Sequence, residues 1–314
     1  MMHVRAAGLL VLLVAGQALA QETTAAPAFA YGEKPKEDAK DTGWKAEAKA
    51  GLLWLAGNAD STSLSAGLKV SRDAVWQRYS LTANYAYAQS RSYVAPAGLT
   101  TPVTSLDQLD SVSSLTTRLW NVTPRFDQWL IHRNAAGDTS LYLLGNIASD
   151  FAAGKKLFGG GQIGVSTLMV KSGPHSLTGE LGYDFTYLEP YIGDGYSIHS
   201  LRAALGYALE LSKTTKFTAG IEYLVNLNLE AGAPNSPDPN DTGGVPAFQD
   251  HRVNALVGLT TQVYERLSLN ISWTGRFDAK PQLAQLPAGL PAGSKAFLRT
   301  FDSITQVQFV YTFG

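Results

Sequence analysis

From Trp44 onward the chain keeps a two-residue period that no helix can satisfy. Its last stretch, 303–314, shows the pattern most plainly. Val307, Phe309, Tyr311 and Phe313 hold the odd positions, while Gln306, Gln308 and Thr312 hold even ones. Successive side chains of a strand point to opposite faces, so one face here is greasy and the other mostly polar. A soluble domain rarely finishes on such a strand with its greasy face unpartnered. The remaining segments therefore have to supply a sheet, and a non-aqueous surround, for this one.

They do so in eleven further segments. In 44–56 the even positions are Trp44, Ala46, Ala48, Ala50, Leu52, Trp54 and Ala56, set against Lys45, Glu47, Lys49 and Gly51. Alternation of the same kind marks 61–72, 76–89, 157–170, 176–188, 198–211, 216–229, 250–262 and 266–278, and the last segment itself runs over 298–313. The segments near 112–126 and 139–150 are strand-like, but their pattern does not say which face is which. Twelve strands is an even count, as a bacterial single-chain barrel requires. The expected fold is all-β: a transmembrane, antiparallel, up-and-down β-barrel of about twelve strands. The closing strand resembles that of bacterial outer-membrane barrels, which stop on an aromatic residue, although here Gly314 follows Phe313. That resemblance implies recognition of Phe309, Tyr311 and Phe313 by the barrel-assembly machinery.

The connections alternate in length. Those at 72–75, 171–175, 212–215 and 263–265 are tight, whereas 90–111, 189–197, 230–249 and 279–297 are long and rich in Pro, Gly, Asp or Asn. With both termini in the periplasm, the tight turns lie there and the long loops outside. Loops 57–60, 127–138 and 151–155 fit this rule less well. Aromatic residues collect at both expected rims. Trp44, Trp76, Tyr79, Phe217, Tyr264, Tyr311 and Phe313 fall at the turn end, and Trp54, Tyr85, Tyr87, Phe185, Tyr187, Trp273, Phe277 and Phe301 near the loop end. Amphipathic rings favour the headgroup level of a bilayer. A large soluble barrel would share the alternation with its apolar face inward, but it has no reason to gather aromatics at both ends.

Composition agrees. Charged residues make up 16% of the chain, with 30 Gly and 14 Tyr, against roughly 25% charged in ordinary soluble domains. The net charge of −1 gives no polyelectrolyte signal, so nucleic acid is not an expected partner. The absence of cysteine excludes disulfides, thiolate metal sites and Cys nucleophiles. Residues 1–20 read as a cleaved signal peptide, with a basic start, a short apolar run and Ala18-Leu19-Ala20 as the cleavage site. Residues 21–43 read as a flexible periplasmic segment, and 44–314 as the outer-membrane barrel.

Several short stretches resemble a family of salt-stress-induced outer-membrane proteins, an uncharacterised-domain family of Gram-negative bacteria. They are Leu55-Ala56-Gly57-Asn58, Arg125-Phe126-Asp127, Asp150-Phe151 and Gly159-Gly160-Gly161-Gln162-Ile163-Gly164. The likeness covers about 44–313, with loops 90–111 and 230–249 as additions. It implies an outer-membrane barrel with an envelope-stress role, and it carries over no catalytic residue.

Chemical motifs are sparse. Gly159-x-Gly161-x-x-Gly164 fits a dinucleotide fingerprint in letters, but a strand follows it where the chemistry needs a helix N-terminus. Of five histidines, His3 is in the signal peptide, and His132 and His175 fall on turns. His199 and His251, with Arg252 and Arg276, are candidates at the outer rim. The oxygen-rich stretch 235–241 lacks the ligand spacing of a calcium loop. No cofactor and no metal site is expected. Alternation points Asp184, Arg202, Glu222 and Glu180 inward, with Asp184 and Arg202 expected level on adjacent strands, as a lumen charge cluster. The expected function is a non-enzymatic envelope barrel in contact with outer-membrane lipid, either a narrow pore or a structural barrel. Alternatives are an outer-membrane hydrolase of lipid or peptide with its site at the extracellular rim, and an adhesin or receptor acting through the long loops.

Overall fold

The computed structural model of the chain describes residues 43–56, 61–94, 96, 101–131, 136–150, 154–233, 243–284, 286, 290, 291 and 293–313. The expected signal peptide, nearly all of segment 21–43, His132, and stretch 235–241 lie outside them. Twelve antiparallel strands close on themselves in sequence order. They are β1 (Trp44–Ala56), β2 (Ser61–Asp73), β3 (Gln77–Val94), β4 (Asp110–Ile131), β5 (Thr139–Asp150) and β6 (Lys155–Ser172). Then come β7 (His175–Pro190), β8 (Tyr196–Glu210), β9 (Thr215–Asn226), β10 (His251–Tyr264), β11 (Leu267–Asp278) and β12 (Phe301–Phe313). The ring is shut by β1 on β12, in register from Ala46 opposite Phe313 to Ala56 opposite Ser303. The shortest strands have 12 residues, enough to cross a bilayer at a steep tilt, for which roughly 9–11 suffice.

Side-chain placement is inside out. Leu52, Leu81, Ile163, Leu181, Leu205, Ile221 and Val257 all face outward and are exposed, while Arg125, Asp127, Asp184, Arg202 and Glu222 are buried within. Such a surface cannot be at equilibrium with water. A closed barrel satisfies every backbone group within itself and so can stand in hydrocarbon. Trp44, Trp76, Tyr264, Tyr311 and Phe313 are exposed at the turn end, and Tyr85, Tyr87, Tyr187 and Phe301 toward the loop end.

Some expected boundaries move. Strands β3 and β4 continue past their apolar stretches, pairing Arg91 with Ser113 and Val94 with Asp110. The connection between them thereby shrinks from 90–111 to 95–109, and it carries a 3-10 turn at Leu106–Gln108. Likewise β4 runs to Ile131, so the turn expected over 127–138 is shorter. Backbone pairing continues as long as two strands stay side by side, whether or not the side chains alternate. Facing also becomes definite for β4 and β5. Asn121, Thr123, Arg125 and Asp127 point inward from β4, and Ser140, Tyr142, Leu144 and Ala148 from β5. Leu141 and Leu143 on the opposite face of β5 are exposed, so both faces of that strand are apolar and no alternation shows.

The long connections fold over the mouth. Val103, Leu106 and Leu109 from the β3–β4 connection pack with Ala284 and Ala296 from the β11–β12 connection. Ala233 and Val245 from the β9–β10 connection descend further. They pack against Ala148, Phe158, Leu188, Tyr196 and Ile198 on the inner wall. The Gln282 amide donates to the Tyr196 hydroxyl at 2.6 Å, tying one connection to the wall beneath another.

Candidate functional site

The lumen is crossed by a chain of alternating charge. At one end Arg125 holds Asp127, its Nη2 donating at 2.7 Å, and the same nitrogen reaches Glu180 at 2.9 Å. Glu180 also accepts from Arg202 Nη1 at 2.7 Å, and Arg202 Nε donates to Glu222. Glu222 then accepts from the Asn254 amide at 2.8 Å. The series links β4, β7, β8, β9 and β10. Every carboxylate in it touches a donor of opposite or neutral charge, which is what makes buried ions tolerable.

Tyr142 of β5 fills the space between the two guanidiniums. Its hydroxyl accepts from Arg202 at 3.0 Å, and its ring lies 4.5 Å from the Arg125 guanidinium carbon. It can lie there because Gly164 of β6 and Gly182 of β7 are paired directly opposite each other. A Cβ on Gly164 would stand 2.4 Å from the Leu181 carbonyl and 2.6 Å from the Tyr142 hydroxyl. One on Gly182 would stand 2.4 Å from that same hydroxyl. The glycine run that mimics a nucleotide fingerprint therefore has a steric purpose. Gly164→Ala is expected to cost roughly 1–3 kcal/mol by overpacking; a lower temperature of SDS unfolding would register it, and an unchanged one would refute the steric reading.

The structure groups Arg202, Glu180 and Glu222 but does not set Asp184 level with Arg202. Arg202 pairs with Gly182, and Asp184 with Ser200, so Asp184 sits two residues nearer the mouth. Parity of facing is unaffected by a two-residue slide, but the charge partner changes. There Asp184 accepts from Thr186 at 3.1 Å and lies in the field of Arg252. Arg125, Asp127 and Tyr142 were missed because the facing of β4 and β5 was open; Asn254 of β10, inward by alternation, is uncharged and gave no such signal. The Arg125-x-Asp127 spacing was the available signal, since it puts both charges on one face.

The four rim candidates divide by parity. His199 and His251 face outward, His199 Nδ1 against the Tyr183 hydroxyl and His251 Nδ1 2.7 Å from the Tyr223 hydroxyl. Arg252 and Arg276 face inward and are buried. Arg252 Nη2 donates to Ser200 at 2.7 Å, and its Nε lies 3.2 Å from Asp250. The four candidates thus lie toward the loop end but not on one face, because neighbours in sequence on a strand point to opposite sides. Among the described residues no cluster of three or more His, Cys, Asp or Glu could hold a metal ion.

Between the charge network and the mouth lies a cavity lined by Lys155, Gln162, Asp184, Arg252, Asn254 and Arg276, with Glu222 at its floor. Phe158, Leu188 and Ile198 form its roof and also belong to the apolar cluster under the β9–β10 connection. The centre of a water molecule has about 70 Å³ in which to sit, room for a handful of waters.

A family model described as "Protein of unknown function, DUF481" matches residues 48–233, more than half of the chain. The chain belongs to this family. The matched stretch runs from β1 into the β9–β10 connection, so it holds every charged member of the network. No curated protein sequence matches the chain. Among solved structures, the NanC porin is similar at 8% identity and TM-score 0.46, over 84% of this chain and 98% of that one. The OmpT outer-membrane protein of Vibrio cholerae is similar at 8% identity and TM-score 0.38, over 86% and 97% of the two chains. The toluene transporter TodX of Pseudomonas putida is similar at 11% identity and TM-score 0.39, over 86% and 89%.

Proposed function

We propose that this family member is a non-enzymatic barrel of the bacterial outer membrane whose polar lumen is a narrow channel, shut at its loop end. The observation that carries the reading is the lumen itself. Its wall is charged and encloses a polar cavity with room for a few waters, yet a salt-bridge network narrows it on one side and apolar residues from the loops fill it on the other. A purely structural barrel gains nothing from a polar cavity, since an apolar filling is as stable or more so. The conductance of purified protein in planar bilayers tests the proposal. Wild type is expected to conduct rarely, and a variant lacking residues 231–247 to conduct steadily. A correctly assembled deletion variant that never conducts would make the barrel structural.

The hydrolase alternative loses its candidates, because the two rim histidines bond tyrosines on the lipid side while Arg252 and Arg276 face the lumen. A lipase and protease assay on the same preparation checks this. The salt-stress role belongs to the same proposal and rests on resemblance; growth of a deletion strain in high salt tests it.

Orientation follows the usual outer-membrane arrangement of short inner turns and long outer loops. Ile192→Cys in the exposed β7–β8 connection is expected to react with an impermeant maleimide on intact cells. Lys213→Cys, in the exposed β8–β9 turn, should react only after lysis. Equal labelling of the two would overturn the orientation.

A further inference from the structure

The β9–β10 connection is held in the mouth from its root. Asn226, fully buried at the end of β9, accepts from the backbone N–H groups of Gln249 and Asp250 at 3.1 and 3.0 Å. Its amide donates to the carbonyls of Asn228 and Pro246 at 3.1 and 2.9 Å. Above this hub the two arms pair, Glu230 N–H donating to the Val245 carbonyl at 2.9 Å. That pairing presents Val245 and Ala233 to the apolar wall.

The same hub brings two acids together. Glu230 and Asp250 are 2% and 3% exposed; Asp250 is held by its N–H at Asn226, Glu230 by its backbone pairing with Val245 just above, and Glu230 lies in the field of Asp250. Glu230 Oε1 and Asp250 Oδ1 are buried without a hydrogen-bond partner. Two acids buried at one hub, each with an oxygen lacking a partner, are costly while both are ionised, so the site favours one proton held between them.

We propose that Glu230 and Asp250 form a shared-proton site that latches the β9–β10 connection in the mouth, and that losing the proton releases the connection and opens the lumen. The surroundings favour that outcome. Arg252 of β10 lies 3.2 Å from Asp250 and in the fields of Asp184 of β7, Asp278 of β11 and Glu230, so its one charge is already shared with three other carboxyls. Tyr196 of β8 accepts from the Gln282 amide and brings no positive charge, while Lys155 of β6 and Arg276 of β11 line the cavity below. An ionised Glu230 would add a further negative charge beside a guanidinium that is already shared.

Burial first, and then the charge of Asp250, push the Glu230 carboxyl up to about 8 from an ordinary 4.5. Because the closed mouth favours the protonated form, the latch is at full strength below about pH 4.5 and is lost as pH rises through about 8. The consequence for conduction rests on the channel reading above; the latch does not.

The test uses the full chain in detergent or bilayers. Val245→Cys places a thiol at a buried position and Ala231→Cys places one at an exposed position of the same connection. Dividing the maleimide rate of the first by that of the second removes the intrinsic pH dependence of the thiol. This ratio is expected to rise at least tenfold between pH 6 and pH 9. In the Glu230→Gln background it should stay low at both, since the amide donates to Asp250 without a titrating proton. A ratio that does not change with pH, or a Glu230→Gln variant that follows wild type, overturns the latch. Protease cleavage of the unsubstituted chain within 227–250, scaled to a control peptide, must give the same ordering. Bilayer recordings should show openings that become frequent from pH 6 to pH 9 and stay rare in Glu230→Gln. Labelling that depends on pH beside a silent bilayer at pH 9 would overturn the channel reading and leave the latch standing.

Discussion

Arg202→Ala is expected to be the most damaging single substitution in the lumen. The Arg202 side chain is 1% exposed, and those of Glu180 and Glu222 are 7% exposed, so little water is at hand to replace the lost guanidinium. Glu180 would keep Arg125, but Glu222 would be left with only the Asn254 amide. Breaking one partner out of a buried ion pair costs roughly 3–5 kcal/mol. For a chain of this size that lowers the unfolding midpoint by on the order of 10 °C, readable as the temperature at which the barrel unfolds in SDS. Glu222→Gln should cost less, because Arg202 retains Glu180. The pair Arg202→Ala with Glu222→Gln should recover part of the loss, since the stranded carboxylate is then gone. In an opened barrel, such as the variant lacking 231–247, Arg202→Ala should also shift the reversal potential toward cations. If Arg202→Ala matches wild type in both measurements, the network neither braces the lumen nor sets its selectivity.

Removing 309–314 is expected to abolish assembly outright. Phe309 and Tyr311 pair with Ala50 and Ala48 on one side and with Leu269 and Leu267 on the other. Without them the turn-end half of the β1–β12 seam is open. An open edge in hydrocarbon leaves backbone N–H and C=O groups without partners, at several kcal/mol each. We expect the truncated chain to accumulate in the periplasm or be degraded, with no heat-modifiable band and no surface labelling at Ile192→Cys. The outward aromatics Phe309, Tyr311 and Phe313 are also the surface we propose for the barrel-assembly machinery. Replacing all three by alanine, which keeps the backbone ladder, should slow assembly without abolishing the barrel that forms. Normal insertion of the truncated chain would refute both roles.

Alternation along each strand was enough to read the number of strands, their order and, for most, the side that meets the membrane. A period of two is a local property: Leu201 and Arg202 lie on opposite faces whatever their neighbours do. The inward placement of Glu180, Arg202 and Glu222 was legible for the same reason. Where the inner face turns apolar, as at Tyr142 and Leu144, the period disappears, and Arg125 and Asp127 on the next strand went unread with it.

Which charges meet was decided only by the tertiary structure. Pairing Arg202 with Gly182 rather than with Asp184 is a shift of two residues between strands. It leaves every hydrophobic pattern intact and yet exchanges one carboxylate partner for another. Nor could the sequence place the connections. They have no period, and the descent of Val245 into the mouth follows from Asn226, the Glu230–Val245 pairing and the apolar wall of four different strands acting together. Strand patterns are set by each residue's own choice between lipid and lumen, whereas register and loop position are set by contacts between residues distant in the chain.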